Sequence, residues 1–282
     1  MKKILAIVLV LVMVFALCAC GAKTEEPKVE EAKVEEAKEE AAEAKEAIEE
    51  AAADAEEVVE EVEALVIEKM DHAAFSAAKV DDPVCVESFI SAKQAYSAEY
   101  GNTTLYLQDD EGAYFVYRLA CSQDEYDAME VGKKIKVTGY KAEWSGEVEI
   151  SDATFEMVET DETFKPVALD VTGLLGKDEL SAHMNEFVTV KGAKVAASKN
   201  GEEDAAFLYN WDGSGEDGND LYFNIDANGV TLSFTVETDL TPAGTDVYEA
   251  VKGLKIGDTI DLEGYLYWYE GPQMHVTGVK AA

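Results

Sequence analysis

Two groups of residues in this chain have types and spacing that could do chemistry. The first is aromatic. Gly264-Tyr-Leu-Tyr-Trp-Tyr-Glu-Gly271 is the densest run of rings. In an extended strand, Tyr265, Tyr267 and Tyr269 share one face, while Leu266 and Trp268 share the other. One of those faces must be core. Rings left over offer flat apolar surfaces with polar rims, which suit the stacking of a sugar or a peptide side chain. Tyr96, Tyr100 and Trp144 occupy turn regions of the preceding half, so Tyr96, Tyr100, Trp144, Trp268 and Tyr269 are the candidate ligand-binding residues. The second group is rich in oxygen. Asp212, Ser214, Glu216, Asp217 and Asp220 lie in one glycine-spaced loop, a composition that suits a hard cation such as Ca²⁺. The loop departs from the EF-hand pattern, with Asp217 where a glycine is required and Phe223 where a glutamate is required. It reads either as a Ca²⁺ site or as a solvated turn.

Other chemistry is thinly represented. The three histidines, His72, His183 and His275, have no clear nucleophile beside them, and no GxSxG, HExxH or glycine-rich phosphate loop occurs. With 59 acidic residues, close carboxylate pairs carry no information. The chain is therefore expected not to be an enzyme. Its formal net charge is −36, and Arg118 is its only arginine. Phosphate backbones are held by Lys and Arg, so nucleic acid is not expected as a partner. Cys85 and Cys121 are left open, as a disulfide or as two separate thiols.

The elements that position these residues begin with an export segment. Met1-Lys2-Lys3 is a charged start, and Ile4 to Leu17 is an apolar run too short to span a bilayer comfortably. Leu17-Cys18-Ala19-Cys20-Gly21 follows. It resembles the lipobox of bacterial lipoproteins, which implies diacylglycerol transfer to the Cys20 thiol and cleavage before it. Residues 1–19 are then a signal peptide, and Cys20 is a lipidated N-terminus that holds the protein on the extracytoplasmic face of the cell membrane.

Residues 20–70 form an acidic spacer of Glu, Ala, Lys and Val, helical or partly disordered. Over 48–66 its apolar residues recur at steps of four and three, a coiled-coil-like seam suited to self-association.

Beyond residue 70 the pattern changes to short alternating runs punctuated by turns, and it repeats. Val131-Gly132-Lys-Lys-Ile135-Lys-Val137-Thr-Gly139-Tyr140 matches Ile256-Gly257-Asp-Thr-Ile260-Asp-Leu262-Glu-Gly264-Tyr265 at an offset of 125. Leu105-Tyr106-Leu107 matches Leu221-Tyr222-Phe223, and Val84-Cys85-Val86 matches Val188-Thr189-Val190. Each copy reads as three strands, a short helix and two strands, with a further helix expected over 177–186. This order resembles the OB-fold, a five-stranded Greek-key barrel. The expected fold is mainly β, with two OB-fold-like barrels in tandem at 71–162 and 166–282. With the anchor, the chain resembles tandem OB-fold lipoproteins of Gram-positive bacteria. That resemblance implies a membrane-anchored, non-catalytic binding or adaptor module for an envelope or extracellular glycan or protein. The alternatives are a scaffolding lipoprotein of an envelope complex and, by fold analogy alone and against the charge, OB-fold nucleic-acid binding.

Overall fold

The alternating runs between 83 and 157 become five strands: β1 (Pro83–Lys93), β2 (Asn102–Gln108), β3 (Ala113–Ala120), β4 (Lys134–Trp144) and β5 (Glu147–Met157). The structure is a computed structural model that describes residues 67–282. The signal peptide, Cys20, the 48–66 seam and nearly all of the spacer lie outside the described residues. A short helix α1 (His72–Ala77) precedes β1, and α2 (Gln123–Ala128) lies between β3 and β4. The start of α2 is set by Ser122, whose Oγ accepts from the Glu125 N–H while Glu125 Oε2 accepts from the Ser122 N–H. The strands close in the order β1-β2-β3-β5-β4, with β4 returning to β1 and a short parallel contact between β3 and β5. This is the OB-fold arrangement.

The second copy follows the same plan with insertions. Its elements are β6 (Leu169–Asp170), β7 (Phe187–Ala196), β8 (Ser198–Asn200), β9 (Glu203–Ala205), β10 (Leu208–Tyr209), β11 (Leu221–Ala227), β12 (Val230–Val236), α3 (Asp246–Lys252), β13 (Thr259–Trp268) and β14 (Pro272–Ala281). The ring β7-β11-β12-β14-β13 closes through β13–β7 and β11–β7 pairing. The protein is thus mainly β, with two closed five-stranded barrels in tandem. The helix expected over 177–186 is instead a 3₁₀ segment, Asp178–His183, with Leu180 its only buried residue. One apolar anchor does not make the buried stripe that an α-helix needs.

The repeat is preserved in register. Val84 faces Gly139 across β1–β4, and Val188 faces Gly264 across β7–β13. The same positions fill both cores: Val84, Val86, Leu105, Leu107, Ile135 and Val137 in the first, and Val188, Val190, Leu221, Phe223, Ile260 and Leu262 in the second. Gly139 and Gly264 sit where the β4–β5 and β13–β14 registers shift. A Cβ would lie 2.7 Å from the Ser151 carbonyl oxygen at the first and 2.3 Å from that of His275 at the second. These bulges coil the strand around the barrel, and only glycine fits them.

A third apolar cluster joins the barrels. Tyr106 and Phe115, on the outer face of β2 and β3, are buried against Tyr265 of β13, with Tyr267 and Phe187 packed around them. Tyr106 stacks on Tyr265 at a centroid separation of 4.5 Å, and Phe115 meets Tyr267 edge-on at 5.4 Å. The buried hydroxyls are satisfied across the seam: Tyr265 Oη donates to the Ser91 carbonyl (2.9 Å), and Tyr106 Oη lies 2.8 Å from His275 Nδ1. The strand-two and strand-three face, where OB-folds take ligands, is in this first barrel the seat of the second.

Gly264→Ala is expected to lower stability by about 2 kcal/mol or more in chemical denaturation, because a backbone oxygen cannot move aside as a side chain can. Gly173→Ala, with open space around its Cβ, should stay within about 0.5 kcal/mol of the parent. Equal losses in both variants would refute the bulge argument.

Candidate functional site

The two β-turns that follow strand four of each barrel are equivalent. Trp144-Ser145-Gly146 and Tyr269-Glu270-Gly271 stand at the same offset of 125, and Ser145 and Glu270 both adopt the left-handed region, at φ 51 and 53. The turns meet: the Glu270 N–H donates to the Ser145 carbonyl at 2.7 Å. A Cβ on Gly146 would come within 2.8 Å of the Trp268 ring, so glycine lets the turns approach. Trp144 and Tyr269 are thereby brought together, one from each barrel, with ring centroids 5.2 Å apart. They remain 54% and 43% exposed.

These rings stand at one edge of a cleft of about 540 Å³ between the barrels. Tyr117, Tyr222, Tyr267 and the exposed Trp211 add aromatic walls, and Gln94, Gln273, Ser233 and Glu237 supply polar groups. The lining contains no lysine or arginine. At the base, His275 Nδ1 stands 3.0 Å from Glu237 Oε2, and Gln94 Nε2 donates to the same oxygen at 2.6 Å. Burial opposes ionisation of Glu237, but His275 and Gln94 outweigh it and hold the carboxyl below its usual range. Tyr222 is pushed up to about 12, by burial first and then by Asp220 and Glu237. Thr235 lies directly across from Tyr222 on one side and His275 on the other. Its Oγ1 is buried without a protein partner.

Beside the cleft a second carboxylate latches the barrels. Glu147, at the start of β5, is fully buried. Its Oε1 accepts from Asn185 Nδ2 (2.6 Å) and its Oε2 from the Trp268 N–H (2.8 Å), both belonging to the second barrel. Among the described residues no cation answers it. Burial therefore dominates and raises its pKa to about 8, against the lowering from those two donors.

Trp144 and Tyr269 come together as cleft rings. Trp268 does not join them: its ring packs on the second core and over Gly146. Tyr96 packs tilted against Tyr126 at 5.6 Å and Tyr100 lies 65% exposed near Arg118, neither lining the cleft. Asp212, Ser214, Glu216, Asp217 and Asp220, open between a Ca²⁺ site and a solvated turn, lie in a loop held by its own contacts. Asp217 pairs with Lys252 at 2.8 Å, Asp220 Oδ1 accepts from the Thr238 N–H and hydroxyl, and Asp212 Oδ1 accepts from the Ser214 N–H. Three of the loop's carboxylates, Asp212, Asp217 and Asp220, thus serve its own fold, and no metal-holding group of acids, histidines or cysteines forms among the described residues. Cys85 and Cys121 are separate thiols, the first buried. Sequence reasoning missed Glu147, Glu237, Gln94 and Trp211. The repeat offset pairs Trp144 with Tyr269, a signal that pattern already contained.

The chain matches no protein-family model and no curated protein. Solved structures similar to it include the HINa domain of Ifi202 in complex with 20-bp double-stranded DNA, at 14% identity over 71% of this chain and 96% of that one, TM-score 0.32. The p204 HINb domain is similar at 11% identity, over 72% and 98%, TM-score 0.31. A replication protein A heterotrimer bound to single-stranded DNA is similar at 11%, over 72% and 51%, TM-score 0.27. Several similar structures hold DNA, and the expectation that nucleic acid is not a partner is withdrawn. A summed charge describes the whole surface, whereas contact with a phosphate is decided by the local face.

Glu147 makes stability depend on pH with a definite sign. A carboxyl whose folded pKa lies above its unfolded value keeps its full contribution below the unfolded pKa of about 4.3 and loses it as pH rises toward the folded value of about 8. Thermal unfolding of the wild type should therefore weaken from pH 5 to pH 9 relative to Glu147→Gln, by a few kcal/mol in total. The variant should itself be about 1–2 kcal/mol weaker at pH 5, where it places an amide donor before two donors. Parallel pH profiles for the two proteins would overturn the assignment.

Proposed function

We propose that this protein is a lipid-anchored, extracytoplasmic binding module whose inter-barrel cleft takes a glycan. The observation that carries the reading is the pairing of Trp144 and Tyr269, equivalent turn residues from two barrels, exposed at one edge of a cleft whose polar groups include Gln94, Gln273 and Ser233. Aromatic faces stack on the apolar faces of sugar rings, and amides and hydroxyls bond the sugar hydroxyls. Large rings held half-exposed in a concave site favour a binding role over a purely scaffolding one, which would bury them against a partner or dispense with them. The reading has no catalytic role for the cleft: Glu237 is engaged by His275 and Gln94, and no activated nucleophile stands beside it. The anchor rests on Leu17-Cys18-Ala19-Cys20. Acylation at Cys20 with a further acyl chain gives stable membrane retention where one chain does not.

Mass spectrometry of the mature protein is expected to find an acylated Cys20 at the N-terminus, and Cys20→Ala should release the protein from the membrane fraction. Retention equal to wild type would remove the anchor from this account. For the cleft, titration of the full-length protein with neutral cell-wall oligosaccharides, read by tryptophan fluorescence, should give saturable binding. Trp144→Ala and Tyr269→Ala should each weaken it about tenfold, near 1.4 kcal/mol. Binding of a single-stranded oligonucleotide instead, lost in the same two variants, would replace the glycan with a nucleic acid.

A further inference from the structure

The cleft combines many rings with a carboxylate and no lysine or arginine. Trp144, Trp211, Tyr222, Tyr267 and Tyr269 line it, and Glu237 is the acid among its lining residues. The electron-rich faces of Trp and Tyr attract a cation placed over them, most strongly where water is partly excluded. They give no comparable advantage to an anion. The lining's single nitrogen base, His275, is 6% exposed and turns Nδ1 to Glu237 and Tyr106. Glu237 keeps about a quarter of its side chain open, so an incoming cation can reach it. A further carboxylate stands near the site: Asp220 acts on Tyr222. Thr235 adds a buried hydroxyl oxygen without a protein partner, on the strand face between Tyr222 and His275.

We infer that the inter-barrel cleft selects a ligand bearing an organic ammonium group, held over the Trp and Tyr faces with Glu237 as its counter-charge. The inference rests on the proposed glycan reading only for the rest of the ligand: the sugar would be an amino sugar with a free amine. The ammonium recognition itself depends on the rings and Glu237. The aromatic surface alone would accept neutral and charged ligands alike, so Glu237, in a lining without lysine or arginine, provides the discrimination.

The test uses the full-length protein and three probes: a glucosamine tetramer with free amines, its fully N-acetylated counterpart, and tetramethylammonium. The free-amine tetramer is expected to bind at least tenfold tighter than the acetylated one. Glu237→Gln should collapse that ratio toward one. Asp178→Asn, an exposed acid outside the cleft, should leave the ratio unchanged, separating the cleft from the chain's general acidity. Tetramethylammonium should bind and should lose severalfold affinity in Trp144→Leu, an exposed position from which folding has little to lose. Equal binding of the two tetramers overturns the ammonium inference while the glycan reading stands. Binding of tetramethylammonium with neither tetramer sustains the inference and overturns the glycan reading. Binding of no probe overturns both. A ratio that survives Glu237→Gln, or wild-type tetramethylammonium affinity in Trp144→Leu, overturns the assignment to this cleft.

Discussion

Tyr106 of the first barrel lies flat on Tyr265 of the second, with both hydroxyls bonded inside the seam, to His275 and Ser91. Burying each ring is worth about 2 kcal/mol, but a hydroxyl left unpaired there would cost a comparable amount. The rings and their hydrogen-bond partners therefore have to be supplied together. The contact occupies the β2–β3 face of the first barrel, the surface on which a single OB-fold would take its ligand. The open cleft lies instead at the rim, where the β4–β5 and β13–β14 turns meet and Trp144 faces Tyr269.

Two inter-barrel carboxylates show how differently this seam treats charge. Glu237 keeps an ionised carboxylate because His275 and an amide stand on it, against the penalty of burial. Glu147 has only neutral N–H donors, from Asn185 and the Trp268 backbone, and burial prevails. The difference lies in the identity of the partner, since both acids are largely withdrawn from water. One consequence is that negative charge is concentrated at the open cleft, while the latch beside it is held closed by an acid whose proton is easily kept. The rest of the surface charge is handled by ordinary exposed pairs, such as Lys136 with Glu156 and Lys280 with Glu263, which contribute little individually.

The strands, the barrel order and the equivalence of the two copies were legible in the sequence, because a buried strand face imposes a period of two and a coiled strand demands glycine at the same place in each repeat. Gly139 and Gly264, 125 residues apart, mark that demand, and the core positions on either side follow from it. The division of the Gly264–Gly271 run was legible too, with Tyr265 and Tyr267 on one face and Leu266 on the other. Sequence also located Trp144 and Tyr269 as rings in turns. It could not say that Tyr265 and Tyr267 face a second barrel and not solvent, since alternation specifies which face is apolar but never what covers it. The Asp212–Asp220 loop shows a related limit: composition counts oxygens, whereas a cation needs them convergent, and here Lys252 engages Asp217 and Thr238 engages Asp220. Glu147 and Glu237 were invisible among 59 acids. What sets them apart is a desolvated position and a partner from the other barrel. Such long-range contacts form only when the two barrels dock, so they belong to the tertiary structure alone.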